Sequence, residues 1–260
     1  DTLFVPMLGR IYASEHCPQI LYDKKALELK NKLPSDLIEQ NKQNQYTLLA
    51  SASRSANMDR IIRDFLERRP NGAIVQLGCG LETTYYRCDN GRAHWYAVDL
   101  PHVIEYRRGL LPEPERECYI SGNAFAKDWI KKVRDEVLDT PILVIAGGLF
   151  HYFEENKVIA LLRMIGQFGN MEVVFDTVNR KGMAMMQKKY MRQVGHADAQ
   201  MFFYVDAVEE LAAKIGGNAK VIADEPYYRY IPKNGLKMST KVSMAVSDRF
   251  CMVKMIQLKL

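Results

Sequence analysis

The chain has 260 residues, of which 48% are hydrophobic and 26% are charged, a composition typical of folded globular proteins. Its formal net charge of +5 is small for this length and no long basic run is present, which argues against a nucleic-acid partner. No apolar stretch approaches the roughly 20 residues that a membrane-spanning helix needs, and no signal-peptide pattern is seen. These properties predict a soluble, cytoplasmic protein with no membrane partner.

The N-terminal segment, residues 1–70, carries helical patterns and no strand signal. Residues 24–33 and 58–69 have apolar side chains at helical intervals, and Pro34 followed by Ser35 and Asp36 is typical of a helix start. Such a segment cannot bury its apolar face alone. We therefore expect residues 1–70 to form a helical cap on a domain of residues 71–260, as one structural unit that covers a ligand cleft.

After residue 70, short apolar runs alternate with longer amphipathic ones, which is the rhythm of a parallel α/β sheet. Strands are predicted over 73–77, 94–98, 117–120, 141–146, 171–176, 219–223 and 250–258. Helices are predicted over 102–110, 128–137, 154–167, 181–194 and 206–215. The last run alternates enough to predict a partly exposed antiparallel strand.

The most informative motif is the strand-like run 73–77 followed by Gly78, Cys79 and Gly80. Glycines there let backbone N–H groups approach a ligand closely, and a helix start favours negative charge. About twenty residues later the second predicted strand ends in Asp99, whose carboxylate can accept hydrogen bonds from ribose hydroxyls. The pair predicts a nucleoside-containing cofactor, although Gly-x-Gly alone is also typical of an ordinary tight turn between strand and helix.

The position of the third glycine decides between cofactors. The dinucleotide motif G-x-G-x-x-G uses that glycine for close helix–strand packing beneath a pyrophosphate. This chain has Thr83 there, preceded by Glu82, whose charge would sit badly beside two phosphates. S-adenosylmethionine has a ribose, an adenine and an amino-acid tail but no phosphate, so it fits the motif better.

The run from Val75 to Arg87, VQLGCGLETTYYR, resembles the motif of the leucine carboxyl methyltransferase family. That family also includes bacterial O-methyltransferases of polyketide pathways, such as tetracenomycin biosynthesis. The resemblance extends from Pro6 to the last predicted strand. It implies the Rossmann-like class I methyltransferase fold, a doubly wound, mostly parallel sheet of seven strands with an antiparallel last strand. It also implies S-adenosylmethionine as cofactor.

The resemblance implies roles for single residues in cofactor binding. Arg54 matches the family's arginine that pairs with the methionine carboxylate, a pairing suited to a guanidinium. Asn123 stands where the family commonly has an Asp that accepts from the adenine amino group, and the N–H of Ala124 can donate to the ring. Gly147 replaces a common Glu, so backbone carbonyls there would hold the ammonium. The predicted cofactor residues are Arg54, Gly78, Cys79, Gly80, Asp99, Leu100, Asn123, Ala124, Gly147 and Gly148.

Methyl transfer from a sulfonium needs alignment and a dry site more than it needs a strong acid. A carboxylate acceptor requires no base, whereas a phenol, with a pKa of about 10, benefits from one. His151 follows the fourth strand and is the candidate catalytic base, the alternative being a histidine that simply packs there. Asp176 either anchors a substrate amine or caps a loop. The candidate substrate residues are Tyr12, Tyr152, Tyr190 and His196, and the aromatic run 202–204 indicates an apolar or aromatic acceptor.

Metal chemistry is not predicted, because the five cysteines are scattered and form no Cys-x-x-Cys or Cys/His cluster. The leading interpretation is an S-adenosylmethionine-dependent O-methyltransferase that acts on a carboxylate or hydroxyl of a small, polyketide-like metabolite. The alternatives are methylation of a protein's C-terminal carboxyl, an NAD(P)-dependent oxidoreductase, and a non-catalytic binding module. Thr83 and the lack of a clear Tyr-x-x-x-Lys pair count against the oxidoreductase.

Overall fold

The computed structural model describes residues 3–34, 43–193 and 200–260, with the backbone alone for 189–193. The strands are β1 Ala73–Leu77, β2 His94–Asp99, β3 Glu117–Ser121, β4 Ile142–Ala146, β5 Met171–Val178, β6 Lys220–Pro226 and β7 Val253–Lys259. The helices are α1 Val5–His16, α2 Lys24–Leu29, α3 Gln45–Arg68, α4 Thr84–Cys88, α5 Pro101–Leu110, α6 Asp128–Val137, α7 Glu155–Gly166, α8 Arg180–Gln193, α9 Val208–Ile215 and α10 Met238–Arg249. Short 3₁₀ turns cover Lys30–Lys32 and Phe150–Tyr152. None of these helices is both long and apolar enough to cross a membrane.

The seven strands form one sheet in the order β3-β2-β1-β4-β5-β7-β6. Strands β1 to β5 pair in parallel, and β7 runs antiparallel between β5 and β6. The predicted doubly wound sheet with an antiparallel last strand is therefore confirmed. The strand order reverses between β1 and β4, and open α/β sheets bind ligands at such a switch point, beyond the carboxyl ends of the strands.

Alternate residues of the central strands point to opposite faces of the sheet, and each face has its own apolar core. On one face Val75 and Val144 pack with residues of α6, α7 and α9. On the other face Ile74 and Leu143 pack with α3 and with Met244 of α10. Burial on both faces explains why β4 reads as a continuous apolar run and why β1 is apolar except at Gln76.

Helix α3 lies on this second face, and α1 packs against α3. Arg10 of α1 donates to the backbone carbonyl of Leu81, 2.7 Å away, so α1 also contacts the turn that follows β1. The N-terminal helices thus reach the glycine turn at the switch point. The division into a cap of residues 1–70 and a domain of residues 71–260 stays a prediction.

The structure differs from the predicted elements at the last strand and at helix α10, and one predicted helix start lies partly outside the described residues. The final strand starts at Val253, not at 250, because Cys251 has a φ of 47° and turns the chain between α10 and β7. Helix α10 was not predicted, since its buried face carries Thr240, Met244 and Ser247 while Val242 is exposed. The predicted helix start at Pro34-Ser35-Asp36 extends into residues 35–42, which lie outside the described residues.

Candidate active site

A small cleft opens at the carboxyl ends of β1 and β4, beneath α3. It brings together four of the predicted cofactor residues, Arg54, Gly78, Cys79 and Gly147. The other residues that line it are Ser55, Met58, Gln76, Leu77, Glu82, Thr84 and Ile145. The cleft therefore lies at the topological switch point, where the fold predicts a ligand.

The turn after β1 is a tight one in which both glycines have left-handed backbone angles, with φ of 63° at Gly78 and 46° at Gly80. Side chains with a Cβ rarely adopt that region, so the sequence needs glycine at both positions. The N–H groups of Gly78 and Cys79 both donate to the carbonyl of Val98, and that of Glu82 donates to the carbonyl of Cys79. The turn thus satisfies its own donors, unlike a phosphate-binding nest.

Asp99 ends β2 and fixes this turn. Its carboxylate accepts from the N–H of Gly80 at 2.8 Å and from the N–H of Leu100 at 2.8 Å. A carboxylate has about four lone-pair sites, so acceptor capacity remains for two neighbouring hydroxyls. Leu100 is 46% exposed and its side chain is apolar, so any contact it makes with a ligand is apolar or through its backbone.

Arg54 of α3 reaches across the cleft to the end of β5. Its Nη1 lies 3.3 Å from Oδ2 of Asp176, and the guanidinium packs against Gly148, where a Cβ would stand 2.5 Å from Nη1. Asp176 also accepts from the N–H of Gly148 at 2.6 Å and lies 3.3 Å from Nε2 of His151. Although burial alone would raise the pKa of Asp176, Arg54 and these hydrogen bonds hold it well below its usual range. Asp176 is therefore an ionised, hydrogen-bonded carboxylate.

Gln76 was missed by the sequence reasoning. It occupies the fourth position of the otherwise apolar strand β1, is 4% exposed, and lines the cleft. Its Oε1 is buried and has no hydrogen-bond partner among the described residues. An unsatisfied buried acceptor costs about 1–3 kcal/mol, so it favours a ligand that can donate to it. A lone polar residue within a buried strand was the signal that could have identified it.

Glu82 borders the cleft as part of a buried charge network that the sequence did not predict. Its carboxylate accepts from Arg10 and from the hydroxyl of Ser55, and it lies 3.5 Å from Arg87. Burial alone would raise the pKa of Glu82, but Arg10, Arg87 and Arg54 lower it to about 2. Glu82, which directly precedes the position of the third glycine in the dinucleotide motif, is therefore ionised and already paired with arginines.

The remaining predicted site residues differ in how close they lie to the cleft. Asn123 and Ala124 follow β3, next to Gly122, whose N–H donates to the carbonyl of Asp99. The Oδ1 of Asn123 accepts from the N–H of Phe125 at 2.9 Å, so in this state the side chain caps its own loop. Burial raises the pKa of the Cys79 thiol to about 12, which leaves it an uncharged lining group.

The predicted substrate residues are not assembled into one pocket. The hydroxyl of Tyr12 accepts from Gln45, its ring contacts that of His16 at an interplanar angle of 45°, and it is not among the residues that line the cleft. Tyr152 is half-buried beside Met186 and Tyr204. The side chain of Tyr190 and all of His196 lie outside the described residues.

A comparison with protein families matches residues 6–166 to the leucine carboxyl methyltransferase family. The chain belongs to this family. The family assignment confirms the resemblance carried by the glycine motif, and the predicted enzyme class, an S-adenosylmethionine-dependent methyltransferase, is confirmed at the level of the family.

Among characterised proteins, the chain is similar to the tetracenomycin polyketide synthesis O-methyltransferase TcmP of Streptomyces glaucescens, with 28% identity over 180 residues. The match covers 68% of this chain and 65% of that protein, so it spans just under two thirds of the relative's length. The name of TcmP describes the activity of that protein and does not by itself give the substrate of this chain.

Two solved structures share the fold across nearly the whole chain. A methyltransferase-like protein from Thermobifida fusca YX has a TM-score of 0.61 at 14% identity, covering 97% of this chain and 94% of its own. Magnesium protoporphyrin IX methyltransferase of Synechocystis PCC 6803, solved with bound S-adenosylhomocysteine, has a TM-score of 0.52 at 8% identity and covers 98% of each chain. At these identities the likeness concerns the fold alone.

Proposed function

We propose that this protein is an S-adenosylmethionine-dependent O-methyltransferase that methylates a carboxylate or hydroxyl of a small metabolite. The observation that carries the proposal is the cleft at the switch point, which is lined by the glycine turn and Arg54, together with Asp99, which accepts from the N–H of Gly80 in that turn. Membership of the leucine carboxyl methyltransferase family and the similarity to a polyketide O-methyltransferase support it. The cofactor supplies a methyl group activated on a sulfonium.

The residues present fit three parts of S-adenosylmethionine, namely its carboxylate, its ammonium and its ribose. Arg54 offers a guanidinium to the methionine carboxylate, which would compete with Asp176 for it. The unpartnered Oε1 of Gln76 and the ionised carboxylate of Glu82 offer acceptors to the ammonium. They would take the place of the glutamate that the family commonly has at the position of Gly147. Asp99 offers lone pairs to the ribose hydroxyls.

A dinucleotide fits the same turn poorly. The N–H groups of Gly78, Cys79 and Glu82 donate to backbone carbonyls, and that of Gly80 donates to Asp99. A pyrophosphate needs such groups free, because backbone donors at a helix N-terminus are what hold it. These contacts argue against the oxidoreductase alternative more directly than the missing third glycine does.

The proposal is tested by calorimetric titration of the full chain with S-adenosylmethionine, S-adenosylhomocysteine, NAD and NADP. We expect micromolar binding of the first two ligands only. The variant R54M should weaken their binding by about 1.5–3 kcal/mol, the range for a hydrogen bond to a charged group. D99A should cost about 1–3 kcal/mol through the lost ribose contact.

The matched control for D99A is D135A, because Asp135 is an exposed aspartate on α6. D135A should bind as the wild type does. Binding of a dinucleotide instead of S-adenosylhomocysteine would refute the cofactor assignment. Binding of both adenosyl ligands without methylation of any small phenol or carboxylic acid would favour the binding-module alternative, or a protein acceptor.

A further inference from the structure

The proton inventory around His151 bears on the class of acceptor. Asp176 is ionised and so can only accept hydrogen bonds. Its Oδ2 lies 3.3 Å from Nε2 of His151, so a neutral His151 donates from Nε2 and carries its lone pair on Nδ1. The carboxylate of Asp176 therefore selects the tautomer of the ring.

The second ring nitrogen is left without a partner. Nδ1 of His151 is buried, and no hydrogen-bond donor within the described residues reaches it. The backbone of His151 is fixed independently, since its carbonyl accepts from the N–H of Phe202 at 2.8 Å. A buried lone pair held in place on a rigid ring is complementary to an O–H donor. An ionised carboxylate has no proton to donate to this lone pair, so the two cannot form a hydrogen bond.

An apolar cluster begins one residue after His151 in the chain. Met183 and Met201 are buried in this cluster, Tyr152, Met186 and Tyr204 pack against it, and Phe202 is 42% exposed. Methionine side chains adapt to irregular shapes and make favourable contacts with aromatic rings. Two chain neighbours connect this methionine–aromatic cluster to His151. Tyr152 follows His151 directly, and Met201 precedes Phe202, whose N–H donates to the carbonyl of His151.

We propose that His151, oriented by Asp176, accepts the proton of an aromatic hydroxyl, so that the enzyme methylates phenol-type acceptors in preference to carboxylates. This inference rests on the methyltransferase function proposed above. The phenol O–H bond breaks and its proton goes to Nδ1 of His151. An electron pair of the oxygen forms the new bond to the methyl carbon as the bond between that carbon and the sulfonium sulfur of S-adenosylmethionine breaks, and the electron pair of that carbon–sulfur bond stays on sulfur, which leaves S-adenosylhomocysteine. His151 is the catalytic residue and Asp176 a positioning residue.

The first test does not depend on turnover. Long-range proton–nitrogen NMR spectra of the 15N-labelled full chain report which nitrogen of each histidine carries hydrogen. We expect the signals that disappear in the variant H151Q to show a protonated Nε2 and an unprotonated Nδ1. In D176N, where the selecting charge is gone, both tautomers should be populated. A wild-type His151 protonated on Nδ1 would overturn the proposal.

The second test compares matched acceptors, 2-naphthol and 2-naphthoic acid, under saturating S-adenosylmethionine. We expect the wild type to methylate the naphthol and H151Q to lose about 10²–10⁴-fold in kcat, the usual contribution of a positioned base. KM and the Kd for S-adenosylhomocysteine should stay within a few-fold, and D176N should show a smaller loss in kcat. The variant H151N replaces H151Q if thermal melting shows that the latter is unfolded.

The control is H94Q, because His94 is exposed and starts β2 at the opposite end of the sheet. It should leave kcat unchanged. Methylation of the naphthoic acid but not the naphthol would overturn the inference while leaving the methyltransferase function intact, as would an unchanged kcat on the naphthol in H151Q. Failure to bind S-adenosylhomocysteine would instead refute the function on which the inference rests.

Discussion

Asp23 offers the sharpest test of how the N-terminal helices are joined to the cofactor turn. Its side chain is fully buried, and its Oδ1 caps α2 by accepting from the N–H of Ala26 at 2.9 Å. Its Oδ2 accepts from Arg10 at 3.1 Å, from Arg87 at 2.6 Å and from the hydroxyl of Thr83. The variant D23N keeps the shape of the side chain and removes one acceptor together with the charge.

An asparagine cannot satisfy both halves of this arrangement. If its oxygen caps α2, its NH₂ group faces three donors, from Arg10, Arg87 and Thr83, and none of them has an acceptor there. Removing one partner from a buried ionic network typically costs about 3–5 kcal/mol. For a chain of this size each kcal/mol lowers the melting temperature by about 2–4 °C, so we expect a drop of roughly 6–20 °C.

The assay is urea denaturation followed by circular dichroism, with a thermal melt as a second measurement. The matched control is E28Q, which removes one charge from the exposed pair of Lys25 and Glu28 on α2. That pair should contribute at most about 0.5 kcal/mol. The reasoning would be refuted if D23N lost no more than about 1 kcal/mol, because the arginines would then have found other acceptors.

Three further outcomes follow from the structure. G148A should weaken S-adenosylhomocysteine binding, because the new Cβ would displace the Arg54 guanidinium. The control G91A has a similar φ and no neighbour within 4 Å, so it should lower stability by the backbone strain of about 1–2 kcal/mol and leave binding unchanged. Equal losses of binding in the two variants would contradict this. The folded pKa of Glu82, about 2, lies below its ordinary value of 4.5, so its stabilisation is present above pH 4.5 and is lost as the pH falls towards 2. The stability difference between wild type and E82Q should therefore shrink between pH 6 and pH 3, as measured by urea midpoints, and an equal difference at both would count against the pairing. In alkylation followed by mass spectrometry, the exposed Cys251 should react before Cys79, whose thiol has its pKa raised by burial to about 12, and equal rates would show that the turn opens freely.

The sheet was predictable because its signal is local. The central strands β1 and β4 are buried along their whole length, so each reads as a short, mostly apolar run that needs no knowledge of the rest of the chain. The glycine turn and Asp99 were predictable for a similar reason, since backbone geometry at Gly78 and Gly80 demands glycine. The start of α3 was placed too late, because Ser53, Ser55 and Asn57 are buried on that helix although their side chains are polar.

The electrostatics of the site were not predictable from the sequence. Arg54 was expected near the cofactor, but its pairing with Asp176, 122 residues away, depends on where α3 lies on the sheet. The ionised state of Glu82 likewise depends on Arg10, 72 residues away. No periodicity encodes such pairs, so the sequence does not show whether a charged side chain is paired with an opposite charge in the folded protein.

The same contacts bear on the role of the N-terminal segment. Arg10 and Asp23 belong to that segment, whereas Thr83, Glu82 and Arg87 belong to the turn after β1 and to α4. Each segment buries charges whose counter-ions lie on the other, and neither set can be left unpaired without a cost of several kcal/mol. Arg54 and Ser55, which line the cleft, also come from the N-terminal segment. We therefore propose that α1, α3 and the start of α2 are part of the cofactor site, because Arg10, Asp23 and Arg54 hold the turn and line the cleft only when these helices are in place.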